Sequence, residues 1–204
     1  MPAPRFIEYE STTSLPSLAS AVHGTVLELG PGTGNPLSLY NPSAITHIYG
    51  VESNLEFSEA LNAKISETHL EDKYTPVFCN ILDANALERH GIVEESIDCV
   101  ACFQVLCCTQ DPKAVVSQLW KLLKPGGELV FWEHCASSDP FTLLAQKFWT
   151  LFWPTIKGGC HLDRNMSDIL LKSADWEVVE MRYEGETLSM MPRTLGRLRK
   201  VAAE

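Results

Sequence analysis

Four points in this 204-residue chain, each at the carboxyl end of an apolar run, hold residues suited to chemistry. Glu28-Leu29-Gly30-Pro31-Gly32-Thr33-Gly34 closes the first run, Val26–Leu29. Glycines at Gly30, Gly32 and Gly34 let the backbone take positive φ and pass close to a ligand. The spacing is G-x-G-x-G and no Gly-Lys-Ser/Thr follows, so the loop is neither a P-loop nor the G-x-G-x-x-G dinucleotide fingerprint. Glu28 would repel a pyrophosphate, but its carboxylate can accept hydrogen bonds from water or from a cationic ligand group. Glu52, in Val51-Glu52-Ser53-Asn54, ends a second run about 20 residues beyond the loop, where nucleoside-binding folds grip a ribose diol. Asp83-Ala84 follows a third, where an acid or amide can accept from an adenine amino group. Gln104 follows a fourth and is expected beside a bound cofactor or substrate, or else bonded to backbone. A nucleotide-type fold that binds no cofactor could carry one such loop. Several in the right order make a bound nucleoside the stronger reading.

Two histidines are candidate general bases, since imidazole titrates near neutral pH. His134 ends a fifth apolar run, and His161 lies in Gly158-Gly159-Cys160-His161 on a loop that could close over a substrate. Each could instead make a hydrogen bond that only fixes its loop. Asp163 and Arg164 read as a helix cap and an ion-pair partner, and Glu133 as a group that orients a histidine or is solvated. The seven cysteines suggest a metal, but their spacing does not support one. Cys107 and Cys108 are adjacent, Cys99 and Cys102 fall on opposite faces of a strand, and no second matching C-x-x-C pair exists. No metal site is therefore expected. A grip on arsenic through Cys79, Cys108 or Cys160 is a remote alternative; most of the thiols read as small buried hydrophobes.

The elements that must position these groups alternate in type. Short apolar runs at Val26–Leu29, Ile45–Val51, Thr75–Cys79, Ile97–Phe103 and Glu128–Trp132 read as strands. Helical spacing falls at Leu55–Glu67, Pro112–Leu123, about Pro140–Thr155 and Met166–Ser173, and two late strands at Trp176–Tyr183 and Thr194–Ala202. This order predicts an α/β, Rossmann-like three-layer sandwich on a mostly parallel sheet. Residues 1–22 read as an N-terminal arm with a short helix near Leu15–Ala21, and residues 23–204 as the domain. Phe141, Leu144, Phe148, Trp149, Phe152 and Trp153 form a helical stripe that reads as core first and acceptor pocket second. A homodimer face or a membrane-surface contact are further uses for it.

A net charge of −10 and the lack of a basic stripe argue against nucleic acid as partner. The basic residues from Arg182 to Lys200 suit a solvated hairpin as well as an anion site. No signal-peptide pattern and no transmembrane run are evident. The odd number of cysteines suits a reduced, cytoplasmic protein.

Glu28–Gly34, Glu52, Asp83-Ala84 and Leu122-Leu123-Lys124-Pro125-Gly126-Gly127 together resemble the ordered motifs of class I S-adenosylmethionine methyltransferases. Val105-Leu106-Cys107-Cys108, Phe131-Trp132-Glu133-His134 and Gly159-Cys160-His161-Leu162-Asp163-Arg164 resemble the small thiol methyltransferases of the methyltransferase-like seven group. The resemblance runs from about Val26 to the C-terminus. It implies a seven-stranded sheet with an antiparallel C-terminal hairpin, S-adenosyl-L-methionine as cofactor, and methyl transfer to a small, fairly apolar acceptor, most simply a thiol sulfur. Family members carry a longer N-terminal region with a membrane-anchoring segment; the residues before the first strand here predict none. The alternatives are an O- or N-methyltransferase of secondary metabolism, or a non-methylating cofactor-binding module or cyclase on the same fold.

Overall fold

The computed structural model describes residues 4–156, 158–186 and 188–202, with side chains from residue 8 onward. Its strands are β1 (Gly24–Leu29), β2 (Ile45–Glu52), β3 (Tyr74–Phe78), β4 (Ile97–Phe103), β5 (Leu123–His134), β6 (Trp176–Glu184) and β7 (Arg193–Lys200). They form one seven-stranded sheet in the order β3-β2-β1-β4-β5-β7-β6. The pairs among β1 to β5 are parallel, whereas β7 runs antiparallel to both β5 and β6. The Rossmann-like sandwich with its antiparallel C-terminal hairpin is therefore as expected. The chain steps outward from β1 to β3 and then returns to place β4 on the other side of β1. That reversal opens a crevice at the carboxyl ends of β1, β2 and β4, where ligands of such sheets bind.

The strands are apolar on both sides because helices cover both faces. Alternate residues feed separate core layers. Leu27, Leu29, Val100, Cys102, Leu129 and Phe131 belong to one layer. Val26, Ile48, Cys99, Ala101, Val130 and Trp132 belong to the other. Helices α5 (Pro112–Leu122) and α8 (Met166–Ser173) add Val115, Leu119, Met166 and Leu170 to the first layer. Helices α2 (Leu15–Ser20) and α3 (Ser58–Glu67) add Leu15, Leu18, Leu61 and Ile65 to the second. Asn165 caps α8 with a bond from the Asp168 N–H (3.1 Å), so the cap falls on Asn165 rather than Asp163.

The arm of residues 1–22 contains two helices, α1 (Pro4–Ser11) and α2, where one was expected. Leu15, Leu18, Ala19 and Val22 are buried, so its second half is part of the core. Glu184 of β6 anchors it, accepting from Ser14 N and Oγ through one oxygen and from Trp132 Nε1 through the other.

The aromatic stripe departs from its first reading. The expected single helix is broken into α6 (Pro140–Thr150) and α7 (Trp153–Ile156), consistent with Pro154 ending the i→i−4 ladder. Phe141, Leu144, Phe148, Trp149 and Phe152 are exposed, while Thr142 and Gln146 are buried. The reason lies beneath the helix. Gln146 accepts from Ser137 N and donates to the carbonyl oxygens of Cys135 and Met190, satisfying backbone that strand pairing leaves open. Most basic residues of the late hairpin are spent on ion pairs: Arg182 with Glu180, Arg197 and Arg199 with Glu128, Arg199 with Glu177, and Lys200 with Glu95. Among the described residues no helix is long and apolar enough to cross a membrane.

Candidate active site

The crevice over the strand ends is a cleft with two lobes, of about 350 Å³ and about 590 Å³. Leu29, Gly30, Gly32, Phe57 and Gln104 line both lobes, so the glycine loop and Gln104 stand at their junction. Gly30, Gly32 and Gly34 all have positive φ, +59°, +54° and +79°. The loop needs glycine for different reasons along its length. A Cβ on Gly30 would run into the Val105 side chain, whereas a Cβ on Gly32 would meet nothing within 4 Å. The first glycine allows close packing, and the second leaves open space on the cleft wall.

Glu52, at the end of β2, is the best organised acid in the larger lobe. One carboxylate oxygen accepts from Gly32 N (3.0 Å) and the other from Asn54 N (2.8 Å). Both oxygens are thereby fixed while keeping lone pairs for a diol. Beyond Glu52 the wall is made by Cys79, Asn80, Ile81 and Leu82. Asp83 and Ala84 are not among the residues lining the cleft. Asp83 caps the short helix α4 (Ala84–Glu88), accepting from Ala86 N at 3.0 Å.

Glu28 lines the smaller lobe but is 2% exposed. Its two oxygens accept from Tyr40 Oη (2.8 Å) and Tyr74 Oη (2.7 Å). Gly50 makes this possible: it pairs with Glu28 across β1 and β2, and any side chain there would collide with the Tyr74 ring. Burial pushes Glu28 up to about 7 against the opposing effect of the two phenols. Glu28 thus shapes the loop's base with its hydrogen bonds made inside the protein.

Gln104 has φ +61°, uncommon for a residue with a side chain, and its N–H donates to the Trp132 carbonyl (2.9 Å). Its amide donates to Glu10 (2.8 Å) and accepts from Arg193 at 3.5 Å. Arg193 is buried, stacks 4.0 Å from the Trp132 ring and donates to Tyr9 Oη. Glu10 lines the smaller lobe, and burial raises its pKa. Neither Glu10 nor Arg193 was singled out from the sequence, because nothing local marks them; they reach Gln104 from opposite ends of the chain.

The two candidate bases lie elsewhere. Neither His134 nor His161 lines the cleft. His134 is buried, with Nδ1 3.6 Å from Cys107 Sγ and 3.4 Å from Cys160 Sγ. His161 is half-buried, and its backbone N–H donates to the Cys107 carbonyl (3.0 Å). Arg164 donates to the carbonyls of Cys107 and Thr109 instead of to a carboxylate. Glu133 is neither solvated nor bonded to a histidine: fully buried, it accepts from the backbone N–H groups of Val105, Leu106 and Cys107. It therefore fixes the 3-10 turn Leu106–Cys108 that walls the cleft, and burial pushes it up to about 7.

A strand order reversing at β1, a glycine loop and an acid at the tip of β2 define the nucleoside-cofactor class of doubly wound proteins. The methyltransferase-domain family matches residues 5–181, and the chain belongs to it. It is 31% identical over 171 residues to the thiol S-methyltransferase TMT1B of Rattus norvegicus, a match covering 82% of this chain and 66% of that relative. The chain thus spans just under two thirds of that relative's length. Among solved structures, a putative methyltransferase from Bacillus halodurans C-125 superposes with a TM-score of 0.72 at 14% identity, over 93% of this chain and 98% of its own. The [4+2]-cyclase SpnF superposes with a TM-score of 0.71 at 15% identity, over 98% and 81%. At these identities the two structures establish the shared class I fold.

Proposed function

We propose that this protein transfers the methyl group of S-adenosyl-L-methionine to a small, fairly apolar molecule, with a thiol sulfur as acceptor. The observation that carries the cofactor reading is the doubly fixed Glu52 carboxylate facing the larger lobe beside Gly32, whose missing side chain leaves space. The residues present fit a nucleoside. Glu52 would accept from the ribose diol, and the segment from Cys79 to Leu82 would lie along the adenine. The smaller lobe, with Glu10 and Gln104, would take the amino-acid end. The cofactor supplies an electrophilic methyl on a sulfonium, open to in-line displacement.

The protein's part is to hold, orient and dry the reactants. Gln104, at the junction of the lobes and held by Glu10 and Arg193, is the group placed to position the acceptor. A thiol has an ordinary pKa of about 8.5 and needs little help to ionise. A cleft lined by neither His134 nor His161 suits it better than an alcohol, which asks more of a base. The similarity to thiol S-methyltransferases supports the same acceptor.

The test is a transfer assay with labelled cofactor against alkyl and aryl thiols, phenols and amines. Turnover confined to thiols is expected. Turnover on phenols or amines alone would move the acceptor to oxygen or nitrogen. Micromolar cofactor binding with no transfer across the panel would favour a binding module or a cyclase.

A further inference from the structure

The cysteines that looked unrelated in sequence converge in space. The sulfurs of Cys107, Cys108 and Cys160 all lie within 4.8 Å of one another. Cys107 Sγ is 3.7 Å from Cys108 Sγ and 3.7 Å from Cys160 Sγ. His134 Nδ1 joins them at 3.6 Å from Cys107 and 3.4 Å from Cys160. Zn–S bonds of about 2.3 Å and Zn–N bonds of about 2.0–2.1 Å at tetrahedral angles require ligand separations of about 3.8 Å for S···S and about 3.5 Å for S···N. Four of the six edges of such a tetrahedron, Cys107–Cys108, Cys107–Cys160, Cys107–His134 and Cys160–His134, have these lengths, and the fifth, Cys108–Cys160, lies within 4.8 Å.

We propose that Cys107, Cys108 and Cys160, with His134 as the nitrogen donor, form a binding site for one thiophilic divalent cation of the zinc class.

Three further observations favour a cation over a chance group of buried thiols. First, His134 is 6% exposed, yet among the described residues its Nδ1 contacts only the sulfurs of Cys107 and Cys160. Thiols are weak hydrogen-bonding groups, so these contacts compensate poorly for taking an imidazole out of water. A coordinate bond would do so.

Second, the ligands come from separate elements. Cys107 and Cys108 lie in the turn after β4, His134 ends β5, and Cys160 lies in the loop before α8. An ion would clasp that loop onto the strand ends. The turn is already anchored by Glu133 and the loop by the His161 N–H on the Cys107 carbonyl, so the donors are held before an ion arrives. Third, three bound thiolates and a divalent cation leave one negative charge. The Arg164 guanidinium, bonded to the carbonyls of Cys107 (3.1 Å) and Thr109 (2.6 Å), lies beside it. Because Cys108 and Gly158 also line the larger lobe, occupancy would fix that part of the cleft wall.

The site stands independently of the cofactor reading, and its test is spectroscopic. Full-chain protein is reduced with a phosphine, stripped with a chelator and titrated with Co(II), then with Zn(II). The expected result is one equivalent of Co(II) with a thiolate-to-cobalt charge-transfer band, bleached by one equivalent of Zn(II). Zn(II) at about 100 times its Kd should also raise Tm by about 5–10 °C. Cys160→Ala and Cys107→Ala should each weaken Co(II) affinity at least tenfold, while Cys99→Ala, on β4 in the opposite core layer, keeps one equivalent. Reduced, folded wild-type protein that gives no charge-transfer band and no Tm shift with Zn(II) would overturn the proposal. So would full retention of the band in the Cys107→Ala/Cys160→Ala double variant. The wild-type titration decides the matter even if a variant fails to fold.

Discussion

Replacing Glu52 by glutamine changes one atom and little shape, which makes it a sharp probe of the cofactor site. The carboxylate oxygens are committed separately, one to Gly32 N and the other to Asn54 N. An amide supplies a single acceptor oxygen. Its NH2 must therefore face one of those two backbone donors, whichever way the side chain is turned. The variant loses one charge-assisted bond to the loop and weakens the grip on a ribose diol. Hydrogen bonds to a charged group contribute about 1.5–3 kcal/mol, so affinity for S-adenosylmethionine should fall by roughly 10- to 150-fold. Calorimetric titration with S-adenosylmethionine and S-adenosylhomocysteine measures this directly, and both should lose affinity alike because they share the nucleoside. An affinity within threefold of wild type, in a variant with unchanged secondary structure, would refute the assignment of Glu52 to the ribose.

Gly32→Val should abolish cofactor binding, since its side chain would project into open cleft space from a φ of +54°; the same titration with retained affinity would count against the loop assignment. Tyr74→Phe leaves the buried Glu28 carboxylate with Tyr40 as its hydroxyl donor, and should cost about 1–3 kcal/mol in urea denaturation at pH 7.5. Wild-type stability there would show that the phenol contributes nothing. Glu28 and Glu133 also make stability depend on pH. Both have folded pKa values of about 7 against an ordinary 4.5, so the folded state keeps protons that the unfolded chain releases. Their effect is to lower stability as pH rises from about 4.5 to 7, by up to about 3 kcal/mol each, and to level off above. Glu28→Gln should flatten part of that slope in denaturation curves between pH 5 and 7.5; an unchanged slope would remove Glu28 as its source.

The sequence by itself determined the order of the strands and the loops at their carboxyl ends that line the cleft. These are local facts. A parallel strand covered on both faces must be apolar along its length, and its abrupt end at glycines or a carboxylate is visible without knowing its neighbours. Glu52, Gly30 and Gly32 could be placed at the strand ends that line the cleft for that reason, as could Gln104, one residue past a strand. The two late strands were legible as well; their antiparallel arrangement came from the family resemblance, and the pairing with β5 is now explicit.

Only the tertiary structure decided which groups meet across long separations. Asp83 could be placed at a strand end, but its use as a helix cap depends on how the chain turns there. The aromatic stripe has helical spacing whichever side faces out, and the backbone beneath it chose Gln146 for the inside. Glu10, Gln104 and Arg193 come together although the first and last lie at opposite ends of the chain. Spacing rules for metal ligands assume donors close in sequence, so they pass over the cluster of Cys107, Cys108, His134 and Cys160. In a doubly wound sheet the carboxyl ends of the strands collect at one edge, and residues far apart in the chain become neighbours there.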